Sequence, residues 1–252
     1  MDLGLTGKVY VVTGGTRGLG FAAAAALVAD GARVVLSGRT TDSVETAVTR
    51  LGSGSTLGIV ADNRDPDTPA RLIAAGQARW DRLDGGLVSV GGPVPGKVSE
   101  VTDDDWRASF QTIFLGAVRL SKSIAAQATD GGSIALVLST SVRTPIPGLA
   151  ISNALRPALA MTVKDMADEF GPNAVRVNGL LPGRIDTERV QELDARAGDP
   201  DAVRNRQSRT IPLRRYGEPN EFGRVAAFVL SPAASYITGT MVTVDGGATR
   251  SF

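Results

Sequence analysis

The chain has 252 residues, 42% of them hydrophobic and 21% charged, an ordinary globular balance with length enough for one large α/β domain over residues 1–252. Its 27 Lys and Arg against 26 Asp and Glu leave a net charge of +1, which gives no electrostatic footprint for nucleic acid or an anionic membrane surface. The chain contains neither Cys nor His, which excludes thiol nucleophiles, disulfides and thiolate metal sites and removes the commonest neutral-pH base, so no metal site is expected.

The opening MDLGLTGKVYVVTGG lacks the basic start, apolar run and small-residue cleavage site of a signal peptide, and no apolar run reaches the roughly 20 residues of a membrane span. A cytoplasmic protein with no membrane partner is the expectation. Seven short apolar, β-branched runs then recur at residues 8–12, 32–37, 56–61, 85–90, 133–139, 174–181 and 241–247. Such runs read as strands buried on both faces, and helical segments lie between them. One helix begins in GLGFAAAAALVAD and is closed by Gly31; another starts at the N-cap Thr102, followed by Asp103, Asp104 and Asp105. The alternation predicts a Rossmann-type, doubly wound parallel sheet with helices on both faces.

Between the first strand and first helix, VVTGGTRGLGFAAAA places Gly14, Gly18 and Gly20, with Thr16, Arg17 and Leu19 in the same loop. Glycines there let the backbone turn tightly and approach a pyrophosphate, whose charge is met by the free N–H groups of the helix. The second strand ends in Ser37, Gly38 and Arg39, with no acid for a ribose 2′-hydroxyl. Arg39, with Arg17 opposite, suits a 2′-phosphate and favours NADP(H) over NAD(H); the alternative is two solvated surface charges. Asp62 follows the third strand where a side chain meets the adenine, with Asn63 beside it. Residues 186–212 are charged and poor in apolar periodicity, open to reading as a surface excursion or as a substrate lid.

These blocks resemble the short-chain dehydrogenase/reductase family from about Leu5 to Gly247. TGGTRGLG is like its TGxxxGxG loop, RVNGLLPGRIDT (176–187) is like its RVNxxxPGxxxT, and IPLRRYGEPNEFGRVAAFVLSPAASYITGTMVTVDGG (211–247) matches its closing segment. The general likeness is to β-ketoacyl-carrier-protein reductases. The resemblance implies a seven-stranded sheet, a nicotinamide cofactor, a small carbonyl or alcohol substrate and a homotetramer or homodimer. It places Pro182, Gly183, Ile185 and Thr187 near the nicotinamide carboxamide, Gly91 beside the cofactor and a mobile lid over 188–212.

The family's catalytic positions are largely replaced. Ser139 matches the serine that polarises the carbonyl, but thirteen residues on stands Ser152 in place of the tyrosine, and four further stands Arg156 in place of the lysine. Ile113 takes the asparagine's place, and SVGG (89–92) replaces NNAG. Arginine stays protonated above pH 12 in water, so Arg156 can hold a ribose or an oxyanion but cannot act as a general acid, and a serine hydroxyl is a poor acid without a partner. Pro157 belongs in a first helical turn, which predicts that this helix either starts late, with Ser152 or Asn153 as its cap, or kinks.

Of the tyrosines, Tyr10 lies in a strand, Tyr236 in the closing segment, and Tyr216 stays open as a proton donor. Three readings follow. The first is an oxidoreductase using NADP(H), with Ser139 polarising the oxygen, Ser152 or a bound water relaying the proton, and Arg156 holding both the cofactor ribose and the oxyanion. The second is a non-catalytic NADP(H)-binding protein, a sensor or assembly partner. The third is a cofactor-free lyase similar to halohydrin dehalogenases, which carry arginine at the lysine's place but keep the tyrosine and lose the glycine loop, the reverse of this chain.

Overall fold

Alternate residues of each apolar run enter two different cores. Val11, Val35, Ile134, Leu136, Val177 and Leu181 face one, while Tyr10, Val12, Val34, Leu36, Leu87, Ala135 and Leu180 face the other. A strand covered on both sides has this period of two, and each such side chain contributes about 1.5–3 kcal/mol on burial. The structure, a computed structural model, describes residues 2–251.

In chain order the elements are β1 (Val9–Val12), α1 (Gly18–Ala29), β2 (Arg33–Gly38), α2 (Thr41–Leu51), β3 (Thr56–Val60), α3 (Thr68–Trp80), β4 (Gly85–Val88), α4 (Asp103–Ser109), α5 (Gly116–Gln127), β5 (Gly132–Val137), α6 (Ala150–Phe170), β6 (Val175–Pro182), α7 (Glu188–Arg196), α8 (Pro200–Thr210), α9 (Pro219–Leu230) and β7 (Met241–Val244). The seven strands form one sheet in the order β3-β2-β1-β4-β5-β6-β7, and every pairing is parallel. Helices α1, α2 and α9 cover one face; α3, α5 and α6 cover the other.

Strand order reverses between β1 and β4, and the carboxyl ends of the strands open a crevice there, the place where open α/β sheets bind ligands. The Thr13 hydroxyl spans it, donating to Ser89 O at 2.9 Å and accepting from Ser89 N at 3.0 Å. Among the described residues no helix is long and apolar enough to cross a membrane.

Local signals in the sequence hold up well. α1 ends at Ala29 and is followed by Gly31 with φ 83°, and Thr102 caps α4 in a capping box with Asp105. The α6 segment departs from its propensity: the helix begins at Ala150, before Ser152, and continues through Pro157. Its start is pinned from outside, because Gly96 donates to Gly148 O at 2.7 Å and Ala150 donates to Gly96 O at 3.1 Å. Pro157 therefore stands in the helix interior, where it cannot donate to the carbonyl of Asn153.

Candidate functional site

The predicted site residues all gather at the carboxyl edge of the sheet. Gly14, Thr16, Arg17, Gly18, Leu19 and Gly20 form the turn from β1 into α1 and its first residues; Arg39 follows β2, Asp62 and Asn63 follow β3, and Gly91 follows β4. Ser139 follows β5. Pro182 closes β6, and Gly183, Ile185 and Thr187 follow it.

Gly14 and Gly18 both take left-handed φ of 55°, and a Cβ on Gly20 would fall 2.2 Å from Gly14 O, so side chains are excluded where the loop folds onto its helix. The N-cap of α1, Arg17, makes no side-chain capping bond, and there is no acid in the first turn. The first N–H groups of α1 are thus left facing the crevice, the arrangement that takes an anion. Arg17 and Arg39 are both exposed around this mouth. The donor set and the close-packed glycine cradle fit the pyrophosphate of a dinucleotide.

Asp62 is less available than its position suggests. Arg64 donates to its carboxylate through Nε at 3.1 Å and Nη2 at 2.8 Å, and the Arg64 N–H does so at 2.9 Å. These bonds, led by the guanidinium, hold the Asp62 carboxyl below the usual carboxylate range. Asn63 serves packing, since its carbonyl oxygen lies 2.5 Å from where a Cβ of Gly116 would stand.

Beyond β5 the chain makes one 3₁₀ turn, Thr140–Val142, with Ser139 as its N-cap: the Ser139 Oγ accepts the Ser141 N–H at 3.1 Å. That bond uses the oxygen as acceptor and leaves the Ser139 proton free to be donated. The turn also buries Ser141, 3% exposed, whose Oγ lies 3.4 Å from the Ser152 Oγ on α6. Sequence reasoning missed Ser141. Ser152 is 7% exposed and is the third residue of α6, not its cap. Asn153 is not the cap either: its side chain exchanges two hydrogen bonds with Ile146, at 3.0 and 2.9 Å.

One helical turn after Ser152, Arg156 is 5% exposed and donates through Nη1 to Val137 O at 2.6 Å. Burial pushes the guanidinium down to about 10, so it remains charged at neutral pH. Ile113 is 2% exposed in the core, inside a single π-helical turn, Phe110–Leu115, between α4 and α5, and presents no polar group.

Residues 188–210 form two helices, α7 and α8, which lie back on the crevice. Arg189 donates to Pro93 O at 2.7 Å, and a Cβ on Gly92 would fall 2.8 Å from its Nε. At the hinge side Asp186 accepts from Arg204 at 2.7 Å, and Asp194 accepts from both Arg184 and the Tyr216 hydroxyl, the latter at 2.8 Å. Burial first, then its bond to Asp194, pushes the Tyr216 hydroxyl up to about 12. Tyr216 is thereby engaged as a clasp of α7, its hydroxyl directed at Asp194.

Comparison with known proteins agrees with this geometry. A family model described as enoyl-(acyl carrier protein) reductase matches residues 14–249. The human dehydrogenase/reductase SDR family member 4 is 34% identical over 252 residues, covering 96% of this chain and 88% of that protein. The L-sorbose reductase of Gluconobacter frateurii, solved with NADPH and L-sorbose, superposes with a TM-score of 0.92 at 27% identity, covering 100% of each chain. YwfH, an NADPH-dependent reductase, shares the fold with a TM-score of 0.91 at 23% identity, over 97% of this chain and 99% of that one. A parallel sheet in this order, a glycine loop opening α1 and a match of this extent make the chain a member of the short-chain dehydrogenase/reductase family of oxidoreductases.

Proposed function

We propose that this protein is an NADP(H)-dependent oxidoreductase that moves hydride between the cofactor and a small carbonyl or alcohol substrate through an unusual hydroxyl and guanidinium site. The observation that carries the reading is the acid-free, uncapped amino terminus of α1 with Arg17 and Arg39 exposed beside it. A solved relative bound to NADPH supports the choice of cofactor.

Gly14, Thr16, Arg17, Gly18, Leu19 and Gly20 would hold the pyrophosphate, and Arg17 with Arg39 the 2′-phosphate. Asp62, Asn63 and Gly91 would line the adenosine side and the floor; Pro182, Gly183, Ile185 and Thr187 would face the nicotinamide. When bound, the cofactor supplies the hydride. Ser139, its oxygen already accepting from Ser141 N, donates its proton toward the substrate oxygen. Arg156 stays charged and steadies negative charge developing on that oxygen. Ser152 or a bound water would relay the proton that replaces the one Ser139 donates. A site without a strong general acid forgoes about 10²- to 10⁴-fold in rate, so turnover is slow.

The replaced tyrosine and lysine favour one other reading, an NADP(H)-binding protein without turnover. Titration with NADPH and NADH, followed by NADPH oxidation against ketones, aldehydes and acyl thioesters, separates the two. Tighter binding of NADPH and oxidation by at least one substrate class are expected; binding without any oxidation selects the non-catalytic reading, and no binding rejects both. We also read the protein as a homodimer or homotetramer, which light scattering on the purified chain would test.

A further inference from the structure

Buried cations in proteins normally have a counter-ion, because moving a charge out of water costs several kcal/mol unless another charge offsets it. Arg184 pairs with Asp194, Arg189 with Glu192 and Arg204 with Asp186. Arg156 is more deeply buried than any of these and forms no salt bridge among the described residues. Its one hydrogen bond uses Nη1, and the partner is a neutral carbonyl.

Neither Nε nor Nη2 of Arg156 is among the fully enclosed polar atoms that lack a partner, so this edge of the guanidinium keeps a small residual exposure and is not consumed by the fold. Ser152 precedes Arg156 by one helical turn, and Ser139 and Ser141 follow the strand whose carbonyl it grips, the three serines being linked by the Ser141 N–H to Ser139 bond and the 3.4 Å approach of the other two oxygens. All of these groups can donate, and among the described residues no carboxylate bonds to any of them. Ser152 and Arg156 are only 7% and 5% exposed, so what reaches them must be small, a planar anion more readily than a phosphate. The hydroxyls of a ribose would accept hydrogen bonds here but bring no charge.

We propose that the substrate of this site is a short oxo acid or hydroxy acid whose carboxylate pairs with the free edge of Arg156 while its carbonyl or hydroxyl oxygen meets Ser139. Planar, bidentate pairing with carboxylate is what a guanidinium does best. Ser139 lies two residues beyond the strand carbonyl that Arg156 grips, which puts both groups at the same end of β5 and favours a short acid. Reduction balances with one solvent proton: the carbonyl carbon gains hydride from NADPH, its oxygen gains H⁺ drawn from solvent, and hydroxy acid and NADP⁺ are formed. This rests on the oxidoreductase reading above for the reaction, though not for the carboxylate site.

The test is calorimetric titration of the whole protein, free and saturated with NADPH, using oxamate, its neutral counterpart oxamide, 2-oxobutanoate and acetoacetate. Oxamate is expected to bind at least about tenfold more tightly than oxamide, a gap that Arg156→Gln, checked as folded by its thermal melt, erases. Equal affinity for oxamate and oxamide, unchanged oxamate affinity in Arg156→Gln, or no saturation by any of the three acids at about 10 mM overturns the proposal. The oxamate and oxamide comparison uses the unaltered protein, so a misfolded variant does not blunt it. NADPH binding without acid binding rejects this inference alone, whereas acid binding to a protein that ignores NADPH rejects the cofactor reading alone.

Discussion

Two arginines on consecutive elements, α6 and β6, carry the same charge into very different company. Arg176, on β6, sends Nη1 to Val229 O and Ile237 O and Nη2 to Leu230 O and Ser231 O, so the end of α9 is closed by a cation where helix carbonyls concentrate negative charge. Arg156, on α6, is more deeply buried and has one carbonyl. The difference separates charge that the fold consumes from charge the fold leaves for something else. Asp84 belongs with Arg176: nearly buried, it accepts from Lys8, Arg82 and the Val9 N–H, far from the crevice.

Substitution can break this contrast. Arg176→Met removes charge-assisted bonds from four carbonyls and should cost about 3 kcal/mol, lowering the melting temperature by roughly 6–12 °C. Arg156→Met loses one bond but relieves an uncompensated buried charge, so its stability should stay within about 1 kcal/mol of the parent, measured by the same thermal melts. Equal losses in the two variants would remove the distinction.

Asp84→Asn should cost about 2–3 kcal/mol at neutral pH, as buried charge pairs do when one partner is lost, tempered by the partial exposure of Lys8 and Arg82. The effect carries a pH signature. Burial raises the Asp84 carboxyl, but bonds from Arg82, Val9 and Lys8 together lower it below its ordinary 3.8. A carboxyl lowered in the folded state stabilises above its unfolded value and loses that contribution as pH falls through the folded one. Urea midpoints should therefore drop steeply below about pH 4 in the parent and more shallowly in Asp84→Asn.

Arg39→Ala sharpens the other side of the contrast, an exposed cation with a ligand to meet. It should weaken NADPH about tenfold and leave NADH nearly unchanged, in paired titrations. Thr102→Ala, which opens the capping box on α4, should cost about 1 kcal/mol and alter neither titration.

Much of this was legible in the sequence, for physical reasons that differ by element. The strands and the α1 loop depend on local period and on glycines at fixed spacing, and both read directly from residues 8–31. Ser139, Ser152 and Arg156 could be placed only by their spacing. What they touch could not, because each partner comes from another element: Val137 O for Arg156, Ser141 for Ser152. Ser141 went unnoticed because only the 3₁₀ turn after β5 aims it at α6. The start of α6 was misjudged from Pro157, whose local preference yields to the anchoring of residues 148–150 on Gly96. The charged stretch after β6 could be read only as an excursion or a lid, because its helices are held by ion pairs to Arg184 and Asp186 and a hydrogen bond from Tyr216, which come from outside the two helices.

The central claim is that the family's hydride chemistry runs here without a titrating acid. Its most direct test is the pH profile of single-turnover hydride transfer from NADPH to an accepted carbonyl substrate. Serine hydroxyls do not titrate between about pH 6 and 9, and Arg156 stays charged there with a value of about 10. The account predicts a slow rate that is flat across that range and falls in Ser139→Ala. A sigmoid or bell with a midpoint inside it would reveal a general acid that this site does not contain, and would contradict the account.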